Sequence, residues 1–186
     1  VQNAYELNYE QDPEAVTALV NIGAQVVNIN VLRHGVPAFT RDIMTGGAQY
    51  TEEIQKALSI SFEEAERIKV GATPGYDDQV QDVIPQEVEQ AMRSVSDTVI
   101  GEISRSLDFF GATSVDARIT KVVLSGGGSK ISGFANAFAE RTGLETSSMN
   151  PLAHMLPSKK FEAAYLEAMA PLMAVAIGLA ARGIDG

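Results

Sequence analysis

The chain has 186 residues, 45% of them hydrophobic, which is enough apolar material for one sizeable core or for two small subdomains that share one. Its 24 acidic residues outnumber its 14 lysines and arginines, and the resulting net charge of −10 disfavours binding to nucleic acid, since the sequence shows no basic patch. The absence of cysteine excludes disulfides and thiolate metal sites.

The first part of the chain predicts a loop followed by three strands. Residues 5–12 are typical of a loop between elements, and because the chain begins at Val1 rather than Met we expect it to be a fragment of a longer protein. Over residues 15–42, short runs rich in Val, Ile and Leu are separated by breaks that contain glycine. This pattern predicts an antiparallel meander of three strands.

Two short helices are predicted to follow the meander. Gly46 opens the first helix, and the capping box formed by Ser61 and Glu64 begins the second, which runs to about Gly71. Residues 72–82 are polar and contain proline and glycine, so they predict a loop.

A long amphipathic helix comes next. Pro85 stands at its first position, apolar residues recur at spacings of three and four, and Gly111 is expected to stop it. Residues 119–124 predict a buried strand, residues 126–128 a glycine-rich turn, and residues 130–141 a helix. This part of the chain is therefore a strand, a turn and a helix.

The rest of the chain is predicted to form a short strand near residues 144–146, an irregular loop at 147–158, and helices at 161–169 and 171–182. The apolar run at 168–181 contains Pro171 and is shorter than the roughly 20 residues that a bilayer span needs. It therefore predicts a core helix.

This order of elements resembles the second half of the actin, Hsp70 and FtsA ATPase fold. The resemblance implies an α/β fold, an actin-like ATPase (ribonuclease H-like) subdomain with an inserted smaller subdomain. It divides the chain into a nucleotide-proximal subdomain of the IIA type over residues 1–45 and 105–186, and an inserted subdomain of the IIB type over residues 46–104.

The segment Ala18-Leu19-Val20-Asn21-Ile22-Gly23-Ala24 is similar to the second phosphate-binding hairpin of that superfamily. The resemblance implies nucleotide contacts from Asn21, Gly23, Ala24 and Gln25, with Gly23 allowing the backbone to approach phosphates. Asn21 stands where many members carry an Asp, so it keeps the shape and loses the charge, and it would reach a magnesium ion only through water. An ordinary hairpin is the alternative interpretation.

The segment Ala65-Glu66-Arg67-Ile68-Lys69 looks like the helical motif from which other members contact ribose and adenine. Glu66 and Lys69 lie three residues apart and share a helix face, where a carboxylate can accept from ribose hydroxyls. The resemblance also implies a contact from Gly47. A solvated ion pair within the helix is the alternative, and for this segment alone it is the simpler interpretation.

The segment from Val122 to Ile131, with the sequence VVLSGGGSKI, resembles the adenosine motif of the superfamily. Gly126, Gly127 and Gly128 would let the nucleotide pack onto the chain, helix amides starting near Ser129 would face it, and the stem of Lys130 could cover the adenine ring. The lysine is misplaced for a Walker A loop, and the third glycine of a Rossmann fingerprint is missing. A tight connection between strand and helix is the alternative.

Longer stretches are similar to the type IV pilus assembly protein PilM family across nearly the whole chain. They are Asn3-Ala4-Tyr5-Glu6, Val20-Asn21-Ile22-Gly23-Ala24, Phe39-Thr40-Arg41-Asp42 with Gly46-Gly47, Tyr50-Thr51-Glu52-Glu53-Ile54, Asn150-Pro151 and the closing run from Ala170-Pro171-Leu172 to Gly178-Leu179-Ala180. The resemblance implies an ATP-binding cytoplasmic scaffold, held at the inner membrane by protein partners, that links the inner-membrane pilus proteins to the assembly motor. ATP and Mg²⁺ are the expected cofactors of the longer protein, and the present chain alone is expected to bind ATP weakly or not at all.

The partners implied are the N-terminal cytoplasmic peptide of the membrane protein PilN, mainly through the half absent here, pilus motor or inner-membrane platform proteins, and other copies in a homo-oligomeric ring. An active actin-like ATPase and an FtsA-like filament former are the alternatives. The missing charge at Asn21 favours a mainly structural nucleotide and at most slow hydrolysis. Every variant of this hypothesis requires Gly23, Glu66 and Gly127 to converge on one concave wall.

Overall fold

The computed structural model describes residues 1–10, 12–71, 85–114, 118–155 and 160–182. The elements are α1 (Gln2–Asn8), β1 (Val16–Ile22), β2 (Val27–Arg33), β3 (Val36–Ile43), α2 (Gly47–Leu58), α3 (Phe62–Gly71), α4 (Gln86–Thr113), β4 (Lys121–Ser125), a 3₁₀ turn (Gly127–Lys130), α5 (Phe134–Thr142), β5 (Glu145–Ser148) and α6 (Ala163–Ala181). The loop predicted at residues 72–82 lies outside the described residues.

One five-stranded sheet, in the order β3-β2-β1-β4-β5, organises the fold. The antiparallel pairs β1–β2 and β2–β3 confirm the predicted meander. By contrast, β4 runs parallel to β1 and β5 runs parallel to β4. Because the carboxyl ends of parallel strands meet at one edge of a sheet, the turns that follow β1 and β4 are neighbours.

Helices cover both faces of the sheet. In β4, Val122 and Leu124 point into a large core that also contains residues of α2, α4 and α5. Val123 points to the other face, where it packs with residues of α1 and α6. This alternation is the two-residue period of a strand buried on both sides, and it explains the continuous apolar run of β4.

The paired helices α2 and α3 are joined to this core through α4. Tyr50 of α2 is fully buried, and its hydroxyl lies 3.0 Å from the hydroxyl of Ser96 in α4. Burial raises the pKa of Tyr50 to about 12, so the phenol is neutral and can donate or accept in this bond. The long helix α4 runs without a break past residues 104–105, where the sequence places a subdomain boundary. That boundary stays a prediction.

The loop predicted at residues 5–12 is wrong in its first half, since α1 covers Gln2–Asn8. The segment carries little helical periodicity of its own. It is fixed by tertiary contacts, because Ala4 and Tyr5 are buried against the sheet and α6, and the Tyr5 and Tyr9 rings stack with centroids 5.0 Å apart.

Two helix boundaries also differ from expectation. Gly111 does not stop α4, which continues to Thr113, where the Thr113 hydroxyl donates to the carbonyl of Phe109. The helix expected from residue 130 begins only at Phe134, because the 3₁₀ turn comes first and Gly133 then adopts a left-handed conformation with φ 74°. Glycine ends a helix only where its backbone leaves the helical region, and Gly111 does not.

The two helices expected on either side of Pro171 form the single helix α6. The Pro171 carbonyl accepts a hydrogen bond from the Gly126 amide at 2.8 Å, so the turn after β4 anchors the helix at the proline.

The expectation of a core helix for this apolar run is also wrong. Within α6 only a stripe of small residues is buried, formed by Ala170, Ala174 and Gly178, whereas Val175 and Leu179 are exposed. Among the described helices, α6 is the one long and apolar enough to cross a bilayer by length and composition, with 19 residues and a mean hydropathy of 1.6. One such helix is weak evidence for a membrane span.

The contact between α6 and α1 yields a test of this packing. A Cβ on Gly178 would lie 3.3 Å from the backbone nitrogen of Ala4, so a large side chain there would push α1 away from the sheet. We expect Gly178→Leu to lower the free energy of unfolding by about 1–3 kcal/mol, measured by urea denaturation. Ala180→Leu, at an exposed position of the same helix, is the control and should be near neutral. Equal stability of the two variants would contradict the packing described.

Candidate functional site

Four polar side chains form a row across the sheet at the carboxyl end of β1. Ser125 donates to Oδ1 of Asn21 at 3.2 Å, Asn21 donates to Oδ1 of Asn28 at 3.3 Å, and Asn28 donates to Asp42 at 2.8 Å. Each of these pairs is directly opposite in the strand register. We call these four residues the polar row. It links β4, β1, β2 and β3 at one level and engages both ends of the Asn21 amide.

The turn after β4 rests on the end of β1. At Gly126, φ is 84° and a Cβ would overlap the Ile22 carbonyl oxygen, while a Cβ on Gly128 would overlap the Ile22 side chain. Both glycines are therefore required by the close approach of this turn to the neighbouring strand. For these two positions, the alternative of a tight connection between strand and helix is sufficient.

Gly127 lies between these two glycines in a different environment. It is exposed, and a Cβ placed on it would meet no atom of the described chain within 4 Å. Its φ lies outside the range that disfavours other residues, since it is not among the positive-φ glycines. The packing of the described chain therefore gives no reason for glycine at this position.

The amides of this turn are arranged differently from the sequence-based expectation. The Ser129 amide donates to the Gly126 carbonyl at 3.2 Å, and the Ile131 amide donates to the Gly128 carbonyl at 3.3 Å. These bonds close the 3₁₀ turn, so an α-helical N-terminus at Ser129 that faces a ligand is wrong. Lys130 ends the turn, and burial lowers the pKa of its ammonium group below the ordinary value. A cavity of about 310 Å³ lies beside it.

On the other side of β1, the hairpin between β1 and β2 caps helix α2. The carbonyl of Gly23 accepts from the Gly47 amide at 2.9 Å, and the carbonyl of Ala24 accepts from the Ala48 amide at 2.7 Å. Two of the helix amides that lack a partner within α2 are thus satisfied by the hairpin. A Cβ on Gly46 would overlap the Gly23 oxygen, which explains the glycine there.

A network of side chains joins α3 to the start of α2. Lys69 Nζ donates to Glu66 Oε2 at 2.6 Å, to the Thr51 hydroxyl at 3.0 Å and to the Gly47 carbonyl at 3.3 Å. The Thr51 hydroxyl in turn donates to Glu66. The Lys69 side chain is only 13% exposed, so the ion pair with Glu66 is formed as the simpler interpretation predicted but is not fully solvated.

The charge of Glu66 is stabilised by this network. Partial burial raises the pKa of Glu66, but the hydrogen bonds from Lys69 and Thr51, together with the lysine charge, outweigh that effect and hold the pKa below the ordinary value for glutamate. The carboxylate is therefore ionised near neutral pH and has one oxygen, Oε1, outside the two bonds described.

The structure thus places the residues named from sequence along one continuous path. Gly126 and Gly128 contact the end of β1, Asn21 and Gly23 lie on that strand end, and the hairpin joins through Gly47 to Lys69 and Glu66. Ala24 and Gln25 are exposed at the tip of the hairpin, whereas Gly47 is buried with both backbone polar groups engaged. The roles of these residues toward a nucleotide stay predictions.

Sequence reasoning missed two contributors. Thr51, which bridges Glu66 and Lys69, stands four residues after Gly47 on the same face of α2, a spacing that could have suggested its position. Ile22, on which two glycines rest, carries no chemical signal, and only the parallel pairing of β1 with β4 explains its role.

The residues at this edge do not fit a directly bound magnesium ion. Asp42 is the one carboxylate of the polar row, and both ends of the Asn21 amide are engaged within the row. Among the described residues, no three His, Cys, Asp or Glu side chains gather into a possible metal site. A protein-bound Mg²⁺ needs near-octahedral oxygen ligands, usually one or two carboxylates with several waters, and the polar row offers only the carboxylate of Asp42, which already accepts from Asn28. The water-mediated contact from Asn21 stays a prediction.

Comparison with known protein families identifies the family to which the chain belongs. The profile of the type IV pilus assembly protein PilM family matches residues 2–184. The chain belongs to this family. The assignment confirms the resemblance seen in the sequence, and it applies to nearly every described element.

Solved structures confirm the actin-like fold. A PilM-PilN type IV pilus biogenesis complex contains a chain that is 29% identical with a TM-score of 0.83, and the match covers 100% of this chain and 51% of that one. The archaeal actin homologue Ta0583 is 14% identical with a TM-score of 0.69, over 100% of this chain and 54% of that one. MreB 5 of Spiroplasma citri bound to AMPPNP is 14% identical with a TM-score of 0.66, over 99% and 58%. The present PilM-family chain spans about half the length of these structures.

The network around Glu66 yields a prediction about its protonation. We expect Thr51→Val to raise the pKa of Glu66 toward its ordinary value, because the variant keeps the side-chain shape and removes the hydroxyl that donates to the carboxylate. The stabilisation from this lowered pKa is present above the ordinary glutamate pKa and is lost as the pH falls through the folded-state value. A carboxyl ¹³C NMR titration measures it.

Thr98→Val is the matched control for this titration. The Thr98 hydroxyl donates to a backbone carbonyl within α4 and does not contact Glu66, so its loss should leave the Glu66 titration unchanged. If Thr51→Val leaves the pKa of Glu66 where it is, the network does not set the charge of this carboxylate.

Proposed function

We propose that this chain is the nucleotide-facing half of an ATP-binding scaffold in type IV pilus assembly. In this proposal the ribose and adenine lie between the Glu66–Lys69 face of α3 and the turn that contains Gly127. The nucleotide fixes the angle between this half and the remainder of a longer protein. Family membership supports the pilus role, and the actin-like fold supports the choice of a nucleotide.

The observation that carries the nucleotide proposal is the open surface above Gly127. Its two neighbours, Gly126 and Gly128, are glycine because they pack on Ile22, but the described chain imposes no such demand on Gly127. A ligand that lies flat against the backbone would explain the glycine at position 127, because any side chain there would occupy the space of the ligand. An adenosine group is such a ligand, and it agrees with the strand-turn context of the motif.

The polar row supports a structural nucleotide rather than an efficient ATPase. Hydrolysis needs a charged or well-oriented group that positions water or metal, and each such contribution is typically worth hundreds-fold in rate. Asn21 is neutral, and its amide is committed to Ser125 and Asn28. Its role in this proposal is to hold three strands together below the ligand. An active actin-like ATPase and an FtsA-like filament former remain the alternatives.

We also propose a location and partners for the complete assembly. One solved relative is a complex of PilM with PilN, which supports PilN as the partner of the longer protein, mainly through the half not represented here. A cytoplasmic position at the inner membrane, contacts with motor or platform proteins, and a homo-oligomeric ring belong to the same proposal. In this arrangement ATP binding would control how the two halves present the PilN site.

The nucleotide proposal can be tested with the chain alone. Because one wall of the cleft is present, we expect ATP to bind weakly, with a dissociation constant in the millimolar range. In a ¹H–¹⁵N NMR titration, ATP should shift the amide signals of residues 127–130 and of Glu66 and Lys69. Gly127→Val should weaken binding at least about tenfold, because its side chain enters the space assigned to adenosine.

Gly111→Val is the matched control, because it makes the same substitution at another exposed glycine. Gly111 is likewise exposed, and a Cβ placed on it would meet no atom of the described chain within 4 Å, but it lies on α4 away from the glycine turn. This variant should bind ATP as the original chain does. Scattered or absent shifts at millimolar ATP, or equal binding by the two variants, would refute the assigned surface. Micromolar affinity for the chain alone would refute the idea that a second wall is needed.

A further inference from the structure

A second cavity, of about 570 Å³, lies at the opposite end of β4 from the glycine turn. It opens between the C-terminal half of α4, the end of α5 and the residues that lead into β4 and β5. Its lining includes Ile119, which precedes β4, whereas Gly126 follows that strand. The two ends are separated by roughly 20 Å at the rise of an extended strand, so this cavity is distinct from the candidate nucleotide site.

Three arginines line this cavity although the chain as a whole is acidic. They are Arg105 from α4, Arg141 from α5 and Arg118 from the segment before β4. The three are far apart in sequence, which is why no basic patch was visible there. Asp108 is the acidic residue in the lining. Among the described lining residues, positive charges therefore outnumber negative ones, with Glu102 and Asp97 beside Arg105 and Arg141.

Two of the guanidinium groups converge on one point. A Cβ on Gly101 of α4 would lie 3.4 Å from Nη2 of Arg141 and 3.7 Å from Nη1 of Arg105. Each of these two cations also lies near a carboxylate, Glu102 for Arg105 and Asp97 for Arg141, which offsets part of their mutual repulsion. A glycine inside a helix costs about 0.5–1 kcal/mol relative to alanine. The chain thus accepts an unfavourable helical glycine beside these two guanidinium groups.

The nitrogen atoms over Gly101 differ from those that the acceptors of the described residues engage. Arg141 uses Nη1 to donate to the Asp97 carbonyl at 3.1 Å, with the Asp97 carboxylate 3.9 Å away. Arg105 uses Nη2 to pair with Glu102 on the same helix. These contacts orient both guanidinium groups and leave their other nitrogen atoms, Nη2 of Arg141 and Nη1 of Arg105, over Gly101, which lines the cavity.

We propose that this cavity, the arginine cleft, binds an acidic segment of a partner protein. Guanidinium groups donate two parallel hydrogen bonds to a carboxylate, and two of them held side by side suit neighbouring acidic side chains. Leu144, which is half-buried, also lines the cleft and supplies an apolar contact for the peptide chain, whereas Leu107 and Ile119 are buried in the core behind it. The net charge of −10 repels polyanions and anionic membranes in general, so binding here depends on the local arginines.

The test is fluorescence anisotropy with a labelled peptide of glutamate and alanine, compared with the same peptide in which glutamine replaces glutamate. The 186-residue chain should bind the glutamate peptide, and the glutamine peptide should bind at least about tenfold more weakly, since bonds between charged groups are lost. Added salt should weaken the first interaction.

Arg141→Ala should reduce affinity for the glutamate peptide at least about tenfold. Arg105→Ala is a second variant, at a side chain that is 66% exposed, and circular dichroism would show that each variant is folded. Arg93→Ala is the matched control, because Arg93 is also an exposed arginine of α4 with an ion pair on its own helix but lies outside the cleft. It should change the affinity less than about twofold.

Several results would overturn the proposal. The first is that the glutamate peptide does not bind. The second is that Arg141→Ala and Arg93→Ala change the affinity equally. The third is that the chain binds the glutamate and glutamine peptides equally well. Capture of the chain by phosphatidylserine vesicles without peptide binding would identify a membrane surface as the occupant. If the chain self-associates without binding the peptide, and Arg141→Ala abolishes this self-association, the occupant of the cleft is a second copy of the chain.

Discussion

The parallel pairing of β1 with β4 is the constraint on which the rest of the structure depends. It sets Asn21 opposite Ser125 and brings the turns after both strands to one edge of the sheet. Gly126 and Gly128 then seat the second turn directly on Ile22. Because this contact leaves no room for a Cβ at either glycine, the strand pairing and the glycine motif depend on each other. A shift in the register of β4 would separate the two turns and break the hydrogen bond that joins Ser125 to the polar row.

From this edge, a short series of hydrogen bonds extends to the paired helices. The hairpin after β1 supplies carbonyl groups to the first amides of α2, and the carbonyl of Gly47 then accepts from Lys69 of α3. The position of Glu66 is therefore tied to the sheet through backbone groups rather than through flexible side chains alone. On the opposite face, the Gly126 amide donates to Pro171 of α6. A ligand at the glycine turn would thus act on helices on both faces of the sheet.

Much of this architecture could be predicted from sequence because its signals are local. The meander, the capping box at Ser61 and the long helix α4 follow from hydrophobic period and capping residues. The errors arose where tertiary contacts prevail over local preference. Helix α1 exists because Ala4 and Tyr5 are buried, and α6, which continues through Pro171, is anchored there by the neighbouring turn. The site residues follow from family motifs, whereas the role of Ile22 depends on strand pairing and the arginine cleft on the packing of α4 near α5, which no local pattern reveals.

The central claim is that the glycine turn after β4 and the Glu66–Lys69 face border one nucleotide. Photolabelling with an azido-adenine analogue of ATP, followed by peptide mass spectrometry, tests it most directly. The label should attach within residues 126–141 or to α3, and unmodified ATP should compete with it at both places. Label that ATP displaces from the outer surface of α4 or α6 instead, or label that ATP does not displace at all, would contradict the account.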